Sequence, residues 1–283
     1  MSDAAFVATA AIPSAAPPPS PRKHWTGSRI AGTLLMGIWI ALGIGFAFLI
    51  VGGYDAEKVA RYLPRIIGGV WVTVQLVVLS VVFGAILSIP ITLGRLSYNW
   101  VAAPLAFGFS YFFRGTPLLA QTFLLYYGLG SFPDLWKSLG LWWFMREAFY
   151  CAVLAFSLNT AAYQAEILAG AIRSVPRGQW QAAASLGLGR YATLRKVILP
   201  QAMITALRPY GNEIVLMIKG SAIAGIVTVF DLMGETRYAY SKTYDFQVYL
   251  WAAVLYFLMV EVLRRVWDAF EFRLTRHLRR DAV

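Results

Sequence analysis

Two long runs of this chain contain no charged side chain, one from Ile30 to Tyr54 and one from Ile66 to Gly94. A helix crosses the hydrocarbon core of a membrane in about 20 apolar residues. Lipid offers no hydrogen-bond partners, so a spanning segment must pair its own backbone, and a helix does that. The chain therefore reads as an all-α integral membrane protein. Charged residues make up only 14% of it, against about 25% in a soluble domain.

Four more crossings follow from the same logic. The third runs from about Arg114, or slightly earlier, to Gly130. The fourth covers roughly Glu147 to Ile172. The fifth begins near Val197 and is expected to be broken by Pro200, Arg208, Pro209 and Gly211. The last spans Phe246 to Leu263. Six crossings return both termini to one side.

The net charge of +11 could suggest nucleic acid, but its distribution suggests membrane orientation. Basic residues cluster at Arg22 to Arg29, at Arg173 to Lys196 and from Arg264 to Arg280. The positive-inside rule puts all three clusters, and both termini, on the cytoplasmic side. That agrees with an even number of crossings. The expected organisation is a disordered cytoplasmic tail at 1–28, an additional helix and outer loop at 29–65, a transport domain at 66–272 and a basic tail at 273–283. The tail is rich in Ala, Pro and Ser, a composition that cannot bury a core. The segment from Asp134 to Glu147, with Trp136, Trp142 and Trp143, reads as an outer loop on the membrane interface.

Reaction chemistry has little to stand on. The single cysteine, Cys151, excludes an internal disulfide and argues against a thiolate metal cluster. The two histidines, His24 and His277, lie in terminal basic segments. There is no nucleophile–base pair, and no G-x-x-x-x-G-K-[S/T] phosphate loop. No bound cofactor or metal is expected.

One segment between apolar runs is polar and basic: QAAASLGLGRYATLRKVILP, from Gln181 to Pro200. It must lie at the membrane surface, yet Ala182, Ala183 and Leu186 recur at helical spacing. Alanines and Gly187 in place of bulk leave a flat surface that a large partner could seat. Gly187 also suits the end of a helix, and the two readings can coexist.

Inside the fourth span, Asn159, Tyr163, Glu166 and Gly170 follow a helical stripe. A carboxylate in a membrane is either functional or paired. Glu166 could meet a cationic substrate, or it could pair with Arg114 or Arg208. Glu213, beside Asn212, has no ideal partner on its own helix, so it is expected to pair across helices or to line water. Lys219, Gly220 and Ser221 could form part of a gate. The run Arg114-Gly115-Thr116-Pro117 is read as opening the third span at the cytoplasmic surface. Gly84 and Ser88 are read as packing positions. Asp231, Glu235, Arg237, Lys242 and Asp245 are read as a solvated outer loop.

Several motifs together carry a family resemblance. The segment Gln181-Ala182-Ala183, Gly187, then Val197-Ile198-Leu199-Pro200 resembles the Glu-Ala-Ala…Gly…Ile-x-Leu-Pro signature of membrane subunits of binding-protein-dependent ABC importers. Gln181 stands where that pattern has glutamate, and Val197 where it has isoleucine. GVWVTVQLVVLS from Gly69, FFRGTPLLAQ from Phe112, LNTAAYQAEILAGAIRSVPRGQW from Leu158 and NEIVLMIKGSAIA from Asn212 resemble the polar amino-acid subfamily. The resemblance implies a type I importer transmembrane domain, a five-helix core to which the first span is an addition. It also implies a coupling helix near 177–192, with Gly178, Gln181, Ala182, Ala183 and Gly187 facing an ABC ATPase dimer that carries ATP and Mg. It further implies a second permease subunit, hence a heterodimer, a periplasmic solute-binding protein and a bacterial inner membrane. Asn159, Tyr163, Glu166, Asn212, Glu213 and Ser221 become candidate pathway residues. The expected cargo is a basic amino acid or an opine, with other polar amino acids such as glutamine or glutamate behind them. Outside the resemblance, two classes remain, an ion-coupled secondary transporter and a membrane scaffold or sensor.

Overall fold

The computed structural model describes residues 26–53 and 55–276. Most of the tail expected at 1–28, and the residues beyond 276, lie outside the described set. Every regular element among the described residues is helical. The chain divides into two units, Met1–Val51 and Gly52–Val283.

Among its described residues, the first unit is one helix, α1 (Gly27–Gly52), which buries none of its side chains. It is apolar on all sides, as a helix surrounded by lipid must be.

The second unit is built around two long helices. Helix α2 (Ala56–Arg95) has 40 residues, a length of about 60 Å at 1.5 Å per residue. That is roughly twice the hydrocarbon thickness, so α2 projects well beyond the uncharged run from Ile66 to Gly94. Charged groups hold the projection. Asp55 caps it by accepting from the N–H groups of Glu57 and Lys58. Lys58 meets Asp245 at 2.9 Å, and Arg65 meets Glu235 at 3.1 Å.

The segment expected as the third crossing is divided. Helix α3 (Ala102–Gly115) ends at Thr116, and α4 (Leu118–Phe123) resumes after Pro117. A wide turn (Leu124–Gly128) and a tight one (Leu129–Ser131) complete it. Arg114 therefore lies in the last turn of α3 and does not open a helix. The apolar residues from Ala102 to Phe113 already form helix, which moves the start back. Two short helices, α5 (Pro133–Ser138) and α6 (Trp142–Met145), carry the tryptophans, and the Trp136 indole donates to the Leu129 carbonyl at 2.6 Å.

Helix α7 (Ala148–Ser174) is the central element. Its small residues lie against a matching stripe on α2. A Cβ on Gly84 would overlap the Thr160 methyl, and the Thr92 hydroxyl donates to the Ala165 carbonyl at 3.3 Å. Close backbone approach through small residues is the usual means of packing helices in lipid. Phe156, Leu76, Met217 and Val227 form the core beside this contact.

The polar connection forms α8 (Arg177–Ser185) and α9 (Arg190–Thr193), then a wide turn (Leu194–Ile198). Helix α10 (Leu199–Gly220) is continuous through Arg208, Pro209 and Gly211, which corrects the expected break. Membrane helices tolerate an internal proline where neighbours or water satisfy the freed carbonyl. The regular helix instead gives way at Ser221–Val227, a tight turn. Helix α11 (Leu232–Thr243) is bent by 48° from the segment before it. Helix α12 (Gln247–Thr275) runs past the expected end at Leu263 into the basic tail.

Among the described residues, α1, α2 and α12 are long and apolar enough to cross a membrane unaided, and the bent segment ending in α11 makes a fourth. Helix α7 is not among these because it carries Asn159, Gln164 and Glu166. The first two are buried against protein.

A second correction concerns Asp231. It is wholly buried and caps α11 by accepting from Gly234 at 2.8 Å. The Thr73 hydroxyl lies 3.4 Å from its carboxylate, and the Leu232 N–H donates to that hydroxyl at 3.0 Å. Gly69 leaves the room, since a Cβ there would sit 2.7 Å from the Asp231 carbonyl oxygen.

Candidate functional site

Two groups of predicted residues occupy different places. The first is the connection α8–α9. Pro176 precedes α8, where its fixed φ and missing N–H cost nothing. The helix ends in a paired-bond turn. The Gly187 N–H donates to the Ala184 carbonyl at 2.9 Å, and the Leu188 N–H to the Ala183 carbonyl at 3.1 Å. Gly187 has φ +74°, a left-handed conformation that a side chain would strain. A Cβ there would meet nothing within 4 Å, so the space beyond the turn is open.

Gly178, Gln181 and Ala182 are exposed on the outer side of α8, and Leu186 is 79% exposed. Ala183 is buried at 3%. It faces the body and seats α8, so it does not share the outer surface with Ala182. Trp180 and Leu194 pack on Ile172, Val175, Ile198 and Ala202 beneath the helix. The outer face is small and flat, and its support is apolar.

The second group surrounds the break at Pro117. Proline has no N–H, so the Phe113 carbonyl loses its helical partner. Two amides take its place. Asn159 donates to Phe113 O at 2.8 Å, and Gln121 donates to the same oxygen at 2.9 Å. Asn159 also donates to the Gln121 side-chain oxygen at 3.0 Å. The Gln121 amide further donates to Thr116 Oγ1 at 2.7 Å and to the Thr116 carbonyl at 3.1 Å.

Two turns further along α7, Glu166 lies between two arginines. Arg95 Nε is 2.6 Å from Oε1, and Arg114 Nη1 is 3.6 Å from Oε2. The Arg95 contact is ionic and lacks hydrogen-bond alignment. Each guanidinium also lies over a ring, Arg95 over Phe107 at 4.9 Å and Arg114 over Tyr163 at 5.4 Å. The Tyr163 hydroxyl lies 3.5 Å from the Arg114 carbonyl. Glu166 is thus held by Arg95 and Arg114, whereas Arg208 pairs with Glu271 at 2.8 Å.

Glu213 is 6% exposed and accepts from Thr160 Oγ1 at 2.9 Å. Asn212 lies on a different side of α10, lining a groove between α10 and α12. Ser221 is fully buried and donates to the Ile218 carbonyl at 2.7 Å. The structure therefore brings Asn159, Tyr163 and Glu166 together around Arg114, and places Glu213 near them across α7. It does not add Asn212 or Ser221 to that cluster. Sequence reasoning missed Arg95 and Gln121. A basic residue closing an uncharged run, and an amide just after a proline, were the available signals.

Comparison with known proteins agrees with this architecture. Residues 80–276 match the family model described as binding-protein-dependent transport system inner membrane component. The nopaline transport system permease protein NocM of Agrobacterium fabrum is 37% identical over 226 residues, covering 80% of this chain and 94% of that protein. The arginine ABC transporter permease protein ArtM of Escherichia coli is 37% identical over 220 residues, covering 75% and 99%. A solved amino acid ABC transporter with histidines superposes with TM-score 0.69 at 33% identity, over 78% of this chain and 99% of that one. The MetNI methionine ABC transporter shares the fold, with TM-score 0.64 at 20% identity. On the strength of the matched length and the shared fold, this chain belongs to the family of inner membrane components of binding-protein-dependent transport systems.

Proposed function

We propose that the chain is a permease subunit of an ATP-driven importer for basic amino acids or opines. The relatives named for arginine, nopaline and octopine support this cargo class. In this reading the chain crosses a bacterial inner membrane six times, a five-helix core plus α1, with both termini cytoplasmic. The basic end that carries α8 and α9 is the cytoplasmic one. A separate ATPase dimer binds ATP and Mg and receives α8 as a coupling helix. A periplasmic binding protein delivers the cargo, and a second permease subunit completes the pathway as a heterodimer. Nucleotide-driven closure of the ATPase then rocks the permease between inward and outward access as a rigid body.

The observation that carries this reading is the outer face of α8. Gly178, Gln181 and Ala182 present little bulk, and the turn at Gly187 opens onto free space. The test is reconstitution in liposomes. With its ATPase, companion permease and binding protein, the chain should accumulate arginine or an opine only when ATP is supplied. Robust uptake by the chain alone under an ion gradient would establish the secondary-transporter reading instead.

A further inference from the structure

The groove between α10 and α12 is not used by the mechanism above. It has a volume of about 600 Å³ and combines apolar walls with charges of both signs. Val215 and Val260 form its inner wall, toward the uncharged part of α12. Its outer part carries Arg208, Arg264, Asp268 and Glu271. Its floor is built for the purpose of holding an indole. A Cβ on Gly211 would overlap the Trp267 ring, so only glycine lets that ring lie on α10. The Trp267 N–H donates to the Leu207 carbonyl at 3.0 Å, which fixes the ring.

Depth follows from α12. From Gln247 to Val260 it has no charge, and Glu261, Arg264 and Arg265 then follow. About 20 residues span the hydrocarbon, so Trp267, Asp268 and Glu271 stand in the headgroup layer at the basic end of the helix. Tryptophan concentrates there because its ring is apolar and its N–H is polar.

We propose that this groove binds a zwitterionic phospholipid that carries a primary ammonium, of the phosphatidylethanolamine type. The charge pattern selects it. Arg208 gives only its Nε to Glu271, and Arg264 gives its Nε and Nη2 to Glu261, so each keeps N–H groups that suit one phosphate; basic pockets between membrane helices are known headgroup sites. On the same rim, Asp268 and the Glu271 oxygen that does not meet Arg208 would repel a purely anionic headgroup but accept hydrogen bonds from an ammonium. Asp268 makes no direct ion pair among the described residues, only a longer-range attraction to Arg208, so its carboxylate can accept from an ammonium. Val215 and Val260 give the acyl chain an apolar path, which a free amino acid would leave exposed.

The test uses the full chain with its ATPase and companion permease in nanodiscs of phosphatidylcholine. These contain a trace of photoactivatable phosphatidylethanolamine or, in a parallel sample, of photoactivatable phosphatidylcholine. Labelled peptides are mapped by mass spectrometry. The ethanolamine probe should label residues 260–272 at least fivefold more than the choline probe. Asp268→Asn should remove most of that preference. Because its side chain is exposed and makes no direct ion pair, this substitution should leave the fold intact. Gly211→Ala, which displaces the indole, should lower labelling at this site by both probes. Equal labelling by the two probes, or an unchanged preference in Asp268→Asn, overturns the proposal. So does displacement of the label by millimolar arginine, which would make the groove a cargo site. Protection of the groove in the complex but not in the isolated chain would also overturn it, and would make it a subunit interface.

Discussion

Asn159 on α7 donates to the carbonyl of Phe113 on α3 at 2.8 Å, in the place where residue 117 would donate if it were not proline. The sequence thus breaks one membrane helix and mends the break from another. A carbonyl stranded in the interior costs about 1–3 kcal/mol, so the break is affordable only beside this amide.

That relationship predicts a redundancy. Gln121 reaches the same carbonyl at 2.9 Å. Asn159→Leu alone should cost about 1 kcal/mol, in line with interhelical hydrogen bonds in membrane proteins. With Gln121→Leu added, the loss should exceed the sum of the two single changes, because only then is Phe113 O left bare. Thermal unfolding of the four variants in detergent gives the cycle; strict additivity would refute the shared role.

Glu166 predicts an asymmetry. Glu166→Gln leaves Arg95 and Arg114 facing each other without their anion. Removing one partner of a buried ionic group costs more than the group contributes, here about 2 kcal/mol because the site is partly exposed. The yield of assembled protein should fall, and the half-saturation concentration of the surviving protein for arginine should stay near wild type. A raised half-saturation concentration with undiminished assembly would assign Glu166 to the cargo.

Gly187 predicts uncoupling. At φ +74° a side chain costs roughly 1 kcal/mol, and nothing nearby would clash. Gly187→Leu should therefore insert and fold, yet transport should fall at least tenfold while the ATPase continues to turn over. Exposed Gln181 makes the contrast, since Gln181→Glu should keep transport. Normal uptake by Gly187→Leu would remove the basis for α8 as the docking element.

Acid sensitivity should have a local contribution from Asp245, between α11 and α12. The Lys58 ammonium, with help from the Gln247 N–H, holds its carboxyl below the ordinary value of 3.8. Stability from this pair is fully present above the unfolded value and is lost as pH falls through the lower folded one. Lys58→Met should make the protein less stable at neutral pH and flatten its loss of stability below about pH 4. An unchanged acid transition in thermal melts would show that the pair contributes nothing.

Packing offers the plainest measurement. A Cβ on Gly84 would overlap Thr160, so Gly84→Val should separate α2 from α7 and cost about 2–3 kcal/mol. Gly68, with nothing within 4 Å of its Cβ position, is the control. Equal melting of Gly84→Val and Gly68→Val would contradict the tight contact.

Much of this was legible beforehand for a simple reason. An uncharged run must be a helix in lipid, and a small-residue pair such as Gly84 and Ser88 must face another helix. The stretch from Glu147 to Ile172 differs from observed α7 by only a residue or two at each end. Charges were harder. Arg114 was read as opening a span, whereas it closes α3, and its pairing with Glu166 on α7 depends on how the two helices meet. Asp231 was read as solvated because a buried charge is expensive, although Thr73 and the N–H of Gly234 satisfy it in the interior. Pro209 was read as a break because its ring removes a helical hydrogen bond, yet α10 continues through it.

Sequence alone determined what the chain is made of: apolar helices, a basic polar connection with a glycine stop, and no nucleotide loop. These depend on hydropathy, charge and local backbone preference, all of which are properties of neighbouring residues. Tertiary structure decided which polar groups meet. The partners of Glu166, the amides that close the gap at Pro117, the inward face of Ala183 and the different surroundings of Asn212 and Glu213 depend on how separate helices rotate against one another. That rotation is set by the close fit of small residues across α2 and α7, and no single segment contains it.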